Sequence, residues 1–337
     1  MMPCSMKLSI LDQSPIIAGH TAAQAIAETL KLARRADELG YTRYWLAEHH
    51  AIAALGDPCP EILLARLGAE TKRIRIGTGG VLLPYYSAFK VAEIFRMLEA
   101  LYPGRVDLGI GRAPGGDQRS ARAVAGGHFP DAEQFPQQVW ELLGHLDGTL
   151  PEDHPFKKVR AQPEGPSAPE LWLLGSSDYS GLLAAQLGVR FSFAHFINAQ
   201  GGELVMRAYK ERYQSAGREP EPHTSVCCFV ICAESDAEAE RLAKVVDARR
   251  IDMAYNLDTP VPTQEQAEKR TYSDQERAHI QSQRARLVHG SADTCREKLL
   301  RIAEQFSADE LMVLTITGDY ATRLDSYERL AKAFKLG

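Results

Sequence analysis

Residues 21–50 read TAAQAIAETLKLARRADELGYTRYWLAEHH. The first part starts at Thr21, a favourable N-cap, carries an Ala/Leu stripe and stops at Gly40, so it predicts a helix. YTRYWL, aromatic and apolar, then predicts a buried strand, and that strand ends in a carboxylate and two imidazoles. Along a strand successive side chains face opposite ways, which puts Glu48 and His50 on one side and His49 on the other. The two histidines are therefore poorly placed to share one metal ion, and each has its own task.

The same alternation extends in both directions. Eight short apolar segments stand out: KLSILDQ (7–13), RYWLAEH (43–49), IRIGTGGVLLP (74–84), VDLGIGRA (106–113), ELWLLGSS (170–177), VRFSFAHF (189–196), SVCCFVICA (225–233) and ELMVLTIT (310–317). Their nearly continuous apolar interiors suit parallel strands covered on both faces. Helical patterns lie between most of them, including PEILLARLGAETK (60–72) and SAFKVAEIFRMLEALY (87–102). Eight strands alternating with helices favour an α/β fold of the (β/α)8 TIM barrel type over a doubly wound sheet. The reading is one barrel domain over 1–337 with two insertions. Residues 114–168 hold Gly/Pro-rich turns, a helix around DAEQFPQQVWELLGHL and a Pro-rich tail; residues 251–289 are charged and largely lack an apolar stripe, as a lid would.

Composition narrows the partners. The 337 residues carry a net charge of −5, and no Lys/Arg cluster interleaved with aromatics is present, so nucleic acid is not expected. No apolar run approaches the roughly 20 residues that span a bilayer, and the N-terminus lacks a long apolar leader, which predicts a soluble, cytoplasmic protein with no membrane association. The six cysteines form neither a disulfide framework nor paired zinc motifs; Cys227, Cys228 and Cys232 read as reduced core thiols, and no metal site is expected.

In such a barrel, chemistry sits at the C-terminal strand ends, here Asp12, His49, Gly79, Gly80, Arg112, Ser176, Ser177 and His195. An imidazole with its ordinary pKa near 6.5 can exchange protons at neutral pH. Ser176 and Ser177 open a helix after a strand; they are either plain caps or, with Arg112 from the preceding strand end, an anion clamp. Three glycines in GTGG (77–80) mark either a tight corner or a flat ligand against bare backbone. Neither a Walker loop nor a GxGxxG opening a helix after the first strand is present.

Taken together, LSILDQSPI (8–16), YWLAEHH (44–50), IGTGGVLLP (76–84), YPGRVDLGIGRAPGGD (102–117), WLLGSSDYS (172–180) and ADELMV (308–313) make the chain resemble the bacterial luciferase-like flavin monooxygenases, in their FMN-dependent oxidoreductase branch. The resemblance covers nearly the whole chain. It implies a TIM barrel, usually a homodimer, that takes reduced FMN from a separate flavin reductase and uses O2 on a small-molecule substrate. It makes His49 the catalytic imidazole beside the isoalloxazine. It makes Arg112, Ser176, Ser177 and Ser180 phosphate ligands, and sets Gly79 and Gly80 against the flavin ring at a non-prolyl cis peptide. Glu48 and His50 either orient His49 or pack between strand and helix, and His195, Tyr85, Tyr86 and the 251–289 segment are candidates for the barrel mouth. Ser176-Ser177 replaces the Glu-Ser of true luciferases, so light emission is not implied. A deazaflavin-dependent oxidoreductase and a flavin-binding protein without catalysis are the alternatives; a metal-dependent barrel hydrolase lacks its His-x-His, since strand one ends LDQSP.

Overall fold

The computed structural model describes residues 6–113, 115–215 and 218–337. Residues 1–5, including Cys4, and Pro114 of the Gly-Arg-Ala-Pro-Gly run lie outside the described residues. The first half runs β1 (Lys7–Asp12), α1 (Ala22–Leu39), β2 (Arg43–Leu46), α2 (Pro60–Glu70), β3 (Arg75–Thr78), β4 (Val81–Leu82), α3 (Ala88–Leu101), β5 (Val106–Gly111), α4 (Gln118–Val124), α5 (Phe135–Asp147) and β6 (Glu170–Gly175). The second half runs α6 (Asp178–Leu187), β7 (Arg190–Ala194), α7 (Gly202–Arg212), β8 (Thr224–Ala233), α8 (Asp236–Ala254), α9 (Gln264–Lys269), α10 (Asp274–Arg284), β9 (Leu287–Ser291), α11 (Ala292–Gln305), β10 (Glu310–Leu314) and α12 (Tyr320–Phe334).

Strands β1, β2, β3, β5, β6, β7, β8 and β10 pair in that order, all parallel, and β10 returns to β1. The result is a closed (β/α)8 barrel whose strands are the eight apolar segments of the sequence. Two strands are additions: β4 pairs with β5, and β9 pairs with the outer half of β8. Helix α1 begins as expected, with a reciprocal Thr21/Gln24 capping box. It ends at Gly40, where φ is 84° and an added Cβ would lie 2.6 Å from the Gly337 nitrogen.

Strand alternation divides the interior into two environments. Leu8, Ile10, Tyr44, Leu46, Ile76, Leu108, Ile110, Leu311 and Val313 face outward into the helix-packed core. The inward positions form layers, as in other barrels of this type. At the N-terminal end lies a charged plug, in which Arg43 reaches Asp107 at 2.9 Å, Glu170 at 3.0 Å and Glu310 at 3.1 Å. Above it Trp45 and Trp172 meet edge to face at 5.2 Å, and Trp45 Nε1 donates to Asp107 at 2.9 Å. The opening above this layer is the cavity described below.

The 251–289 stretch is structured. It begins inside α8, continues through α9 and α10, both opened by capping boxes, and ends in β9. Its weak apolar pattern has a physical cause: α10 buries no residue, and the segment is tied down by ion pairs, Arg270–Asp252 at 2.6 Å and Arg284–Asp247 at 2.6 Å. No helix among the described residues is long and apolar enough to cross a membrane.

Candidate active site

The C-terminal strand ends enclose a cavity of about 610 Å³, within the roughly 300–1,000 Å³ usual for small-molecule sites. Leu11, Trp45, Leu174, Cys227 and Met312 give it an apolar interior. Gly79 and Gly80 follow β3, and the peptide between them is cis. Both are glycine for want of space: a Cβ on Gly79 would lie 2.5 Å from Leu11 Cδ1, and one on Gly80 would lie 2.7 Å from the Gly109 carbonyl oxygen and 2.8 Å from Leu174 Cδ1. Bare backbone therefore forms this wall of the cavity.

The Glu-His-His segment lies just beyond β2, which ends at Leu46, so strict strand alternation does not govern it. Both His49 and Glu48 line the cavity, and the Glu48 carboxylate meets the His50 imidazole at 2.7 Å. Glu48 is buried and also accepts from the Leu82 backbone N–H at 2.9 Å and the Tyr86 hydroxyl at 2.5 Å. Orienting this corner is thus its visible work. His49 holds its backbone in place through an N–H donated to the Asp57 carbonyl at 3.3 Å. Its ring Nδ1 is buried without a hydrogen-bond partner among the described residues. Burial, aided by the positive charge of Arg249, pushes the imidazole down to about 4. The expectation of a histidine that titrates near neutrality does not hold for this site: His49 is neutral at pH 7.

Across the cavity, the end of β5 supplies Arg112, and the β6-to-α6 turn supplies Ser176, Ser177 and Ser180. Ser177 occupies the N-cap position, yet its side chain makes no capping hydrogen bond, so the plain-cap explanation fails for it. Arg112 is exposed, forms no ion pair among the described residues and lies over the Tyr179 ring at 4.3 Å. A guanidinium, free hydroxyls and a helix N-terminus converge, a donor set suited to a phosphate.

Other sequence candidates have structural roles. Asp12 is buried, accepts from the Ser14 N–H at 2.7 Å and pairs with Arg323 at 2.5 Å. His195 packs edge-on against Phe306 at 5.7 Å, away from the cavity lining, and Tyr85 lies in a small cluster with Leu82 and Ala121. The lining residues that the sequence reading passed over, Gln13, Trp45, Leu174 and Ser192, are inward positions of strands or their ends. Strand parity counted from His49 would have found Trp45.

A bare-backbone wall, a neutral histidine and a phosphate-type clamp at the mouth of a (β/α)8 barrel define a flavin-dependent monooxygenase architecture. The chain belongs to the luciferase-like monooxygenase family, whose model it matches over residues 6–310. It is 43% identical to the uncharacterized protein YwcH of Bacillus subtilis, covering 98% of this chain and 99% of that one. It is 34% identical to the N-acetyl-S-alkylcysteine monooxygenase of Bacillus subtilis, over 97% and 98% of the two chains. The crystal structure of apo-MsnO8 superposes with a TM-score of 0.91 at 37% identity, covering 98% of this chain and 99% of that chain.

Proposed function

We propose that this protein binds reduced FMN, delivered by a separate flavin reductase, and uses O2 to oxygenate a small organic molecule in the same cavity. The observation that carries this reading is the convergence on one cavity of His49, the Gly79–Gly80 wall and the Arg112, Ser176, Ser177 and Ser180 cluster. The donor set fits FMN: Arg112, Ser176 and Ser180 line the same cavity as the bare Gly79–Gly80 backbone, and the Ser177 hydroxyl is not used as a cap. Bound reduced flavin supplies the electrons that activate oxygen.

The chain's own residues do the rest. Arg112 and the serines hold the phosphate and fix the register of the ring. Leu11, Trp45, Leu174 and Met312 exclude water from the reacting side. Neutral His49 presents a hydrogen-bonding nitrogen and can donate or accept at that edge without a charge change. The Glu48 network holds the β2 end against β4. The protein acts in the cytoplasm as a homodimer; Met97 and Leu101, one turn apart on α3 and exposed at 53% and 54%, leave apolar surface for a second copy.

Anaerobic fluorescence titration tests the cofactor. Reduced FMN should bind more tightly than reduced riboflavin or a reduced deazaflavin cofactor, and admission of air should give protein-dependent oxygen uptake. Preference for the deazaflavin replaces the reading with its alternative, and binding without altered oxygen uptake leaves a passive carrier.

A further inference from the structure

The floor of the cavity holds a polar feature that the flavin reading leaves unused. Ser192 of β7 lines the cavity, and its hydroxyl oxygen lies 2.6 Å from that of Ser225 on β8. The two residues are partners in the register of that parallel pair. Their neighbours Phe191, Phe193 and Val226 belong to the outward core, so by strand alternation both serines point into the barrel. Leu174, beside Ser192 on β6, approaches Gly80 with its Cδ1, and Glu310, beside Ser225 on β10, belongs to the plug. The serine pair therefore sits where the cavity meets the plug. Round the closed barrel β7 is four strands from β2 in either direction, through β3, β5 and β6 or through β1, β10 and β8, which sets Ser192 across the cavity from His49.

Two hydroxyls bring two protons, and the bond between them uses one. Neither hydroxyl has another partner among the described residues, and the Glu310 carboxylate is taken by Ser9 and by Arg43 at 3.1 Å. Ser225 is sealed at 0% exposure, whereas Ser192, at 4%, borders the cavity. The remaining donor is thus presented to whatever fills the cavity, and a buried donor left without an acceptor is costly. Its surroundings are uncharged. Of the ionisable lining groups, Glu48 is held by Leu82, Tyr86 and His50, and Arg112 stands with the serines of the phosphate end. His49 is neutral, and burial pushes the Cys227 thiol well above its ordinary range. A charged ligand group at this floor would lose its hydration with no counter-charge to replace it.

We propose that Ser192 is a specificity-determining residue, whose hydroxyl donates a hydrogen bond to a neutral oxygen acceptor on an organic substrate that enters with an uncharged end toward the floor. This rests on the reading of the cavity as a shared flavin and substrate site. His49 then stands at one side of the bound molecule and Ser192 anchors the other, while Ser225 takes up the second bond of the hydroxyl pair.

The test is anaerobic ligand-observed NMR titration of protein saturated with reduced FMN, so that the phosphate end is filled. The probes are acetophenone and cyclohexanone, each with an isostere that lacks the oxygen, α-methylstyrene and methylenecyclohexane, and two charged analogues, benzoate and 1-phenylethylammonium. At least one ketone should bind about 3- to 10-fold more tightly than its isostere, the scale of one neutral hydrogen bond. Both ions should bind at least about 10-fold more weakly than acetophenone. In S192A and in the nearly isosteric S192C, a weak donor, the ketone preference should fall to within about 1.5-fold. A change of cavity shape alone would move ketone and isostere together. S225A keeps the lining hydroxyl and should keep the preference. Ketones no better than their isosteres, an ion that matches acetophenone, or an undiminished preference in both Ser192 variants overturns the proposal. So does loss of ketone binding on adding FMN, which would mean that the flavin itself covers Ser192. Failure of the protein to bind FMN removes the flavin reading alone, since the ketone pairs repeated without FMN still report on Ser192.

Discussion

The Glu48 carboxylate accepts the Leu82 backbone N–H at 2.9 Å and so ties the end of β2 to β4, immediately after the Gly79–Gly80 wall. The same carboxylate holds Tyr86 and His50. Glu48→Ala removes three bonds around one buried group, and the stranded Leu82 amide and Tyr86 hydroxyl should lower stability by about 1–3 kcal/mol. FMN affinity should fall with it, because the wall loses its anchor. Tyr86→Phe removes a single bond and should cost about 1 kcal/mol with little change in FMN binding. Urea unfolding and FMN fluorescence titration of the two variants check this; equal effects would show that Glu48 does no more than one ordinary side chain.

Arg112→Ala should separate FMN from riboflavin. Its guanidinium, backed by the Tyr179 ring at 4.3 Å, is placed for the phosphate that riboflavin lacks. Loss of a charge-assisted hydrogen bond of roughly 1.5–3 kcal/mol corresponds to about 10- to 150-fold weaker FMN binding. Riboflavin affinity should hardly move. Equal losses for both ligands, measured by fluorescence titration, would assign Arg112 to the architecture of the β5 end instead.

The parts of this site legible in the sequence were those set by local rules. Continuous apolar runs marked the eight barrel strands, and the strand-end rule placed His49 at the cavity; period-two alternation did not separate it from Glu48, which lines the same cavity because β2 ends at Leu46. The β9 strand was missed because LVHGS is short and pairs only with the outer half of β8. The charged plug of Arg43, Asp107, Glu170 and Glu310 was equally hidden, since its members come from four strands that meet only when the barrel closes. The same long-range geometry accounts for His49: burial and a neighbouring charge, neither visible locally, displace it from the titration range of a free imidazole.

His49→Ala should reduce flavin-dependent oxygen uptake by about 100-fold or more, the usual scale for loss of a positioned proton-handling group. His49→Gln retains a neutral donor and acceptor and should keep more activity. With the imidazole pushed down to about 4, His49 contributes no ionisation between about pH 5 and 8. A rate inflection near 6.5 that vanishes in His49→Gln would falsify this assignment of a neutral imidazole.

Gly80→Ala should abolish the wall. The added methyl would lie 2.7 Å from the Gly109 carbonyl oxygen and 2.8 Å from Leu174 Cδ1, inside van der Waals contact. Overpacking of this kind costs about 1–3 kcal/mol, and the backbone shift that relieves it moves the surface offered to the flavin ring. FMN and riboflavin should therefore weaken together, unlike the Arg112→Ala pattern. Wild-type affinity for both in Gly80→Ala would show that the ring does not rest there.

Acid stability should report on the plug beneath the cavity. Burial alone would raise the Glu310 carboxyl, but Arg43, with His223 and Ser9, outweighs it and holds the group down at about 2. Because the folded value lies below the ordinary 4.5, the stabilisation is complete above about pH 4.5 and is lost as pH falls toward 2, by roughly 3 kcal/mol over that window. Glu310→Gln should remove this part of the acid dependence. It should also cost about 3–5 kcal/mol at pH 7, since Arg43 then keeps its charge in the barrel interior with one partner fewer. Urea unfolding of both proteins from pH 7 to pH 3 measures the two effects together. Parallel pH curves for wild type and Glu310→Gln would show that Glu310 does not carry the acid response of the plug.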